Sequence, residues 1–351
     1  MEQQNVTHPD PSKIMQTGMG FWASKALLTA VNLKLFTMLA NGKKMNGEEI
    51  KSALKFETTT RHVLDWLDVL TTLGFLKRDG VFAEAVYYNN TDAEIFLDKN
   101  KPSYIGGILE MANNRLYKFW GDLDEALKTG APQNETKGNL VGEGFAELYK
   151  SPESLQEFMD AMSGIQTGNF MALAKKFDFS RYKTLSDIGG ADGWLCIQLC
   201  LNYPDLQCTC FDMPQVEPVA KKKIAQFNLN ERIKFVSGDF IKDDLPSADV
   251  ITMGNILHGM NEEDKQKIVN KVFNTLPENG VFITIENLID DNRNQNLFGL
   301  LMSLNMLIEN GDAFDYTPAD FNRWTKQAGF SRTEFIPLTG PATAAVAYKE
   351  G

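Results

Sequence analysis

Basic residues are in short supply in this chain of 351 residues: 35 Lys and Arg stand against 46 Asp and Glu, a net charge of −11. A nucleic-acid surface needs a basic stripe, so no nucleic-acid partner is expected. Long apolar runs are missing too: nothing approaches the ~20 residues of a membrane span, and no membrane association is expected. The opening Met-Glu-Gln-Gln-Asn-Val lacks the basic and apolar pattern of a secretory signal, so a cytoplasmic protein is expected. Cysteines are only four, Cys196, Cys200, Cys208 and Cys210, and histidines only three, His8, His62 and His258. No histidine lies near the cysteines, which therefore read as small buried hydrophobes, and no metal is expected. Against these absences, a hydrophobic content of 43% and a charged content of 23% describe an ordinary globular protein. The length suffices for two domains with real cores.

The most informative stretch is Thr184-Leu-Ser-Asp-Ile-Gly-Gly-Ala-Asp-Gly-Trp194. Leu185 and Ile188 read as the end of a short buried strand. Gly189, Gly190 and Gly193 make a tight turn, and an apolar helix follows with Leu195, Ile197, Leu199 and Leu201. A strand, a glycine turn and a helix place backbone N–H groups and a positive helix end at one spot. Asp212 ends the next strand-like run, 212 − 190 = 22 residues after Gly190, where the ribose hydroxyls of a nucleoside would be held. The dinucleotide pattern Gly-x-Gly-x-x-Gly fails, because Ala191 and Trp194 stand where glycines are needed. The frame Asp187-x-Gly189-x-Ala191-x-Gly193 resembles the acidic-x-Gly-x-Gly-x-Gly loop of S-adenosylmethionine (SAM) methyltransferases, with Ala for the middle Gly. An ordinary glycine turn before a helix is the alternative.

The N-terminal third is helical. Lys13 to Leu39 carries a helical pattern through Phe21, Trp22, Ala26, Leu27, Ala30, Val31, Leu35 and Met38, and Asn41-Gly42 stops it. A short helix is expected at Gly47–Leu54. A longer one, capped at Thr58–Thr60, buries Val63, Leu64, Trp66, Leu67, Leu70 and Leu73. Gly74 to Phe82 reads as a β-hairpin around Asp79-Gly80, which completes a winged helix. Asp65 and Asp68 beside Arg61 would repel phosphate, so a packing or dimerisation module is favoured over DNA binding. Trp22, Leu27 and Val31 form a stripe with more apolar surface than one small winged helix covers, and a homodimer is expected.

Helical pattern returns over 103–130, a polar Gly-rich loop spans Gly130–Gly144, and a helix runs from Pro152 to about Lys176. Beyond it strands alternate with helices: Thr184–Ile188, Leu206–Phe211, Ile233–Val236, Asp249–Met253 and Val281–Glu286, then a hairpin of Glu334–Leu338 with Ala342–Tyr348. The fold class is therefore α/β: a Rossmann-like, doubly wound domain preceded by a mostly helical winged-helix domain, with ligands at the carboxyl ends of the strands.

Three further features sit at those ends. In Gly238-Asp239-Phe240, Asp239 could accept from an adenine amino group while Phe240 stacks on the ring; a solvated loop acid is the alternative. His258 follows the fourth strand. A lone histidine is more often structural, and its place beyond a strand end shifts that toward function. Glu286 closes an apolar strand and needs a partner, for which an imidazole makes chemical sense.

With these residues the chain resembles the class I small-molecule O-methyltransferases of the caffeic acid and acetylserotonin type over nearly its whole length. The likeness is strongest in Leu257-His258 followed by acids, in Gly238-Asp239-Phe240, and in Ser303-Leu304-Asn305-Met306-Leu307 with Tyr316-Thr317 downstream. It implies a winged-helix dimerisation domain over 1–102, a helical connector contributing to the substrate pocket over 103–180, and a SAM-binding catalytic domain over 181–351. It also implies His258 as general base, with Glu286 and Asp315 holding it, and cofactor contacts at Gly189, Gly190, Asp212, Met213, Asp239 and Phe240. Substrate contacts are implied at Met162, Met302, Asn305 and Met306. The family's third glycine is Ala191 here, its Trp two residues after the histidine is Met260, and its Glu-Arg-Thr is Asp315-Tyr316-Thr317, with a carboxylate one methylene shorter. Gly254 stands where plant members often carry a lysine that contacts the cofactor. The reaction so implied moves a methyl group from SAM to a hydroxyl, phenolic by expectation, leaving S-adenosylhomocysteine. Methylation of carbon or nitrogen, or a non-catalytic ligand-binding regulator, are the alternatives.

Overall fold

The computed structural model describes residues 9–135 and 151–350; most of the expected loop Gly130–Gly144 and the first eight residues, His8 among them, lie outside that range. The chain divides into two compact units, Met1–Asn114 and Arg115–Gly351.

In the first unit, the continuous helix expected from Lys13 to Leu39 is three: Ser12–Gly18, Gly20–Asn32 and Leu35–Met38. Two glycines, poor helix formers, bracket the first break, and Lys34 makes the second by taking a left-handed φ of 57°. Asn46 and Glu49 form a reciprocal capping box for the helix Gly47–Ala53. Thr59 stands at the N-cap of the helix Thr60–Thr72 but makes no capping bond. The hydroxyls of Thr58 and Thr59 lie instead 2.8 and 3.3 Å from Nδ1 of His62. Strands β1 (Met45–Asn46), β2 (Leu76–Asp79) and β3 (Val86–Asn89) form an antiparallel sheet in the order β1-β3-β2, which with the helices makes the winged helix.

The hairpin differs from the tight turn expected at Asp79-Gly80. Gly80 does turn left-handed, but a Cβ there would lie 2.8 Å from the Glu84 carbonyl oxygen, so the chain folds back on Glu84. β2 accordingly pairs with β3, not with Val81-Phe82. Asp68 receives hydrogen bonds from Arg78 at 2.6 Å and Tyr87 at 2.8 Å, so this face of the helix Thr60–Thr72 is knitted to the wing.

The expected stripe splits as well. Val31 is buried and Leu27 packs against the same core of Leu35, Phe36, Ile50, Leu67 and Leu70, whereas Trp22 is 64% exposed. The exposed apolar residues extend from Trp22 toward the N-terminus through Phe21, Met19, Met15 and Ile14. At micromolar concentration, light scattering should give twice the 39.3 kDa chain mass, and Trp22→Asp should return it to one chain. A wild-type monomer would contradict this.

In the second unit, seven strands stand in the order β6-β5-β4-β7-β8-β10-β9. Strands β4 (Thr184–Ile188), β5 (Gln207–Asp212), β6 (Ile233–Ser237), β7 (Val250–Gly254) and β8 (Val281–Glu286) are parallel. β10 (Thr343–Tyr348) runs antiparallel between β8 and β9 (Arg332–Pro337). Strand order reverses at β4, which has β5 on one side and β7 on the other, and a crevice opens at such a switch point. One face of the sheet carries a core with Leu185, Leu195, Ile283 and the four free cysteines; the other carries Ile251, Met253, Phe282, Phe321 and Trp324. The helix Pro152–Lys176 lies on the helix Trp194–Asn202, where Trp194 Nε1 donates to Thr167 Oγ1 at 2.8 Å. Across the division between the units the stretch expected to be helical over 103–130 is helical from Gly106 to Thr129, changing type on the way: α at Gly106–Met111, π at Ala112–Leu116, α at Tyr117–Phe119, 3-10 at Trp120–Asp122 and α at Leu123–Thr129. Among the described residues no helix is long and apolar enough to cross a membrane.

Candidate active site

The glycine loop leaves β4 at the switch point and enters the helix Trp194–Asn202. Gly189 has φ 68°, so the backbone shape calls for glycine, and a Cβ there would push against the end of the Ile256 side chain. Ala191 takes the same left-handed region at φ 50°, at a cost of ~1–2 kcal/mol for an L residue. The resembled family has glycine at this position.

Most of the loop's N–H groups are spoken for, where free ones would be expected. Those of Gly189 and Gly190 donate to the Phe211 carbonyl at 2.8 and 3.2 Å, and that of Gly193 to the Gly190 carbonyl at 2.9 Å. Ala191 N–H donates to Asp212 Oδ2 at 2.8 Å, and Trp194 N–H to Asp192 Oδ1 at 3.2 Å. Buried donors pair wherever they can, and this loop pairs its own. What it offers a ligand is close backbone and negative charge.

Three buried carboxylates surround it. Asp187 accepts from Thr252 Oγ1 at 2.7 Å, and burial first, then the neighbouring acids, push its pKa up to about 7. Asp192 is 1% exposed and accepts from Ser163 Oγ at 2.6 Å, with Lys223 Nζ at 2.5 Å. Asp212, at the end of β5, is pushed up to about 6 by burial, against the N–H groups of Met213 and Ala191 that favour its charge. Such a site would repel a pyrophosphate and suits a cationic nucleoside, so the residues fit SAM, whose sulfonium is positive. Met213 packs with Leu155, Met159 and Val216 beside the loop. Asp239 lies beyond β6 and accepts from Ile241 N–H at 2.9 Å and Lys242 Nζ at 3.0 Å; Phe240 packs against the sheet core.

His258 sits in a 3-10 turn, Leu257–Gly259, just past β7. Register decides what it meets. Gly254 is aligned with Ile285, so β7 leaves the sheet beside the end of β8, where Asn255 turns left-handed at φ 53°. Glu286 Oε1 there accepts from the N–H groups of Ile256 at 2.9 Å and His258 at 3.3 Å. The expected contact of Glu286 with the imidazole is thus a contact with the backbone that carries it. The carboxylate beside the ring is Asp315, whose Oδ1 lies 3.5 Å from His258 Nδ1. Asp315 follows the helix Leu297–Asn310, and its N–H donates to Ser303 Oγ at 3.2 Å. Among the described residues, neither Asp315 oxygen nor His258 Nδ1 has a hydrogen-bond partner within ordinary reach. Catalytic hydrogen bonds are often long before a substrate is present.

Burial opposes protonation of His258, but Asp315 and then Glu286 more than offset it, and its proton affinity is raised above that of a free histidine. Burial also raises the pKa of Glu286, while the histidine acts against that.

On the helix Leu297–Asn310, Asn305 Oδ1 accepts from Trp120 Nε1 at 2.9 Å. Met302 Sδ lies 4.0 Å from Asn305 Nδ2, and Met306 is buried one turn on. Met162 is half-buried on the helix Pro152–Lys176, next to the Ser163 that binds Asp192. Four polar or aromatic members were missed from sequence: Ser163, Asp192, Trp120 and Lys265. Lys265 had a signal. It falls three before Ile268 and seven before Val272, on the apolar stripe of the helix Glu262–Thr275, and is fully buried.

Comparison with known proteins agrees with this architecture. Residues 15–99 match the O-methyltransferase dimerisation domain and residues 120–331 the O-methyltransferase domain. The chain is 36% identical over 339 residues, 97% of each chain, to the tetracenomycin polyketide synthesis 8-O-methyl transferase TcmO of Streptomyces glaucescens. It is 29% identical over 319 residues, 90% of each chain, to the N,N-dimethyltransferase OxyT of Streptomyces rimosus. The crystal structure of human N-acetylserotonin methyltransferase with SAM superposes with a TM-score of 0.89 at 26% identity, covering 99% of this chain and all of the other. With matched domains at both ends, a switch-point crevice built for a cationic nucleoside and a relative of this similarity along its length, the chain belongs to the O-methyltransferase family and is a SAM-dependent O-methyltransferase.

Proposed function

We propose that this enzyme methylates a phenolic hydroxyl of a small aromatic molecule, with His258 as the general base, and that it works as a homodimer. The observation that carries the reading is the buried His258–Asp315 pair over a turn that Glu286 anchors. SAM supplies an electrophilic methyl carbon when bound, so the protein's part is alignment and proton removal. Asp315 on Nδ1 favours the tautomer that leaves Nε2 free to accept the hydroxyl proton, and it stabilises the resulting cation. Glu286 holds the turn and adds negative charge without being consumed. A phenol, with a pKa near ~10, is within reach of a histidine base as attack develops. Asp212 would take the ribose hydroxyls, and Asp239 with Phe240 the adenine. Trp120, Met302, Asn305 and Met306 offer apolar and aromatic surface with one amide, which suits a ring system. TcmO is named an 8-O-methyl transferase, in keeping with this reading, whereas the name of OxyT favours nitrogen methylation as the second one.

Asp212→Ala should weaken SAM binding roughly tenfold or more, since a charge-assisted hydrogen bond is worth ~1.5–3 kcal/mol. In the wild type, affinity should decline as pH falls through about 6, where Asp212 gains a proton and loses its acceptor charge. Calorimetry at several pH values measures both, and an unchanged affinity in the variant rules the assignment out.

His258→Ala should leave SAM affinity intact and lower turnover ~10²–10⁴-fold, less for more acidic hydroxyls. Glu286→Gln should cost less. Because the base acts unprotonated and its proton affinity is raised, the acid limb of kcat/KM should lie above pH 6.5. Nitrogen methylation predicts no dependence on hydroxyl acidity, and full activity of His258→Ala on a phenol sinks the base assignment.

A further inference from the structure

One buried charge in this site has no part in the mechanism above. Lys265 lies in the second turn of the helix Glu262–Thr275 with no exposed surface at all. Its Nζ donates to the carbonyl of Met260 and lies 3.5 Å from the centroid of the Phe314 ring. Met260 closes the 3-10 turn that carries His258, and Phe314 is next to Asp315 in the chain. A lysine is almost never fully buried unless something answers its charge.

We propose that Lys265 is a positioning residue of this active site: its ammonium group offsets the paired carboxylates of Glu286 and Asp315 and so limits how strongly they drive His258 to hold a proton. The inference rests on His258 being the base. Two acids beside one imidazole would favour the imidazolium, which cannot accept a proton from an acceptor hydroxyl. The buried ammonium, fastened to the turn that carries His258, acts in the opposite sense on that histidine, and both acids act back on the lysine.

The charged groups around Lys265 are few. Glu286 on β8, Asp312 and Asp315 in the segment before the helix Pro318–Ala328, and Glu262 on its own helix act on it electrostatically. Of these, Glu262 is bound by Arg323 at 2.8 Å, and Asp312 by Asn261 at 3.0 Å. Glu263 and Asp264 pair with Lys267. Glu286 and Asp315 are left as the buried carboxylates with no cation of their own except His258. Burial first, against the pull of these acids, brings the pKa of Lys265 down to about 8.

The test follows His258 directly, by ¹³Cε1-histidine NMR of the full-length protein saturated with S-adenosylhomocysteine, the resonance being assigned with His258→Gln. In Lys265→Met, which keeps length and removes charge, the His258 midpoint should rise by about one pH unit. The acid limb of kcat/KM should rise with it, so that the loss near neutral pH is several-fold and is recovered at higher pH. An unmoved midpoint in a folded Lys265→Met protein overturns the proposal and leaves packing as the role. If that variant does not fold, the wild type decides: its His258 resonance should show a second, smaller inflection near pH 8 as Lys265 loses its proton, and a single inflection overturns the idea. A shifted midpoint together with a fully active His258→Ala would instead retain the charge coupling and reject the base.

Discussion

A carboxylate stripped of water at the end of β8 constrains everything around it. Glu286 is 1% exposed, and an unanswered charge there would cost several kcal/mol. The chain answers it with backbone: two N–H groups from the turn after β7 converge on one oxygen. That turn can exist only because β7 and β8 are neighbours in this register, and it carries His258. His258 is therefore held by its main chain as much as by its ring. Asp315 arrives from a different direction, anchored through Ser303 to a helix and followed by Tyr316, whose hydroxyl donates to Thr284 on β8 at 2.9 Å. Asp315 faces the imidazole and Glu286 the backbone of its turn, each with its own support.

The cofactor end follows a different logic. Its loop spends its own N–H groups on Phe211, Gly190, Asp192 and Asp212. The loop is thereby rigid before any ligand enters, which lowers the entropy cost of binding. The same hydrogen bond that shapes the loop, from Ala191 to Asp212, also orients the acid proposed for the ribose. Loop shape and ligand contact are one arrangement.

Much of this was legible. β8, Val-Phe-Ile-Thr-Ile-Glu, is buried at all six positions, and a strand covered on both faces reads as a nearly unbroken apolar run. The glycine loop, the strand-end acids and His258 each had a local pattern. Facts of pairing were not legible. Sequence puts Glu286 at a strand end but does not say which neighbouring strand departs beside it, so its partner was assigned to the imidazole instead of the backbone. The break at Lys34 is a backbone conformation with no residue signature. Leu27 and Val31 share an apolar stripe with Trp22, yet the helix ladder alone does not say where the domain's own core stops. Lys265 stands in the apolar period of its helix, where a charged residue ordinarily reads as solvent-facing.

The position of β10 has a consequence for how the second unit is made. β8 lies with β7 on one side and β10 on the other, and residues 343–348 follow every other strand in the chain. Until they emerge during synthesis, β8 presents a bare apolar edge, and β9 has no sheet to join. A nascent chain halted before that point would carry a ready template for pairing with another chain. The glycine loop, β5 and the histidine turn all precede it, so the ligand crevice can take shape early while the sheet as a whole is sealed last.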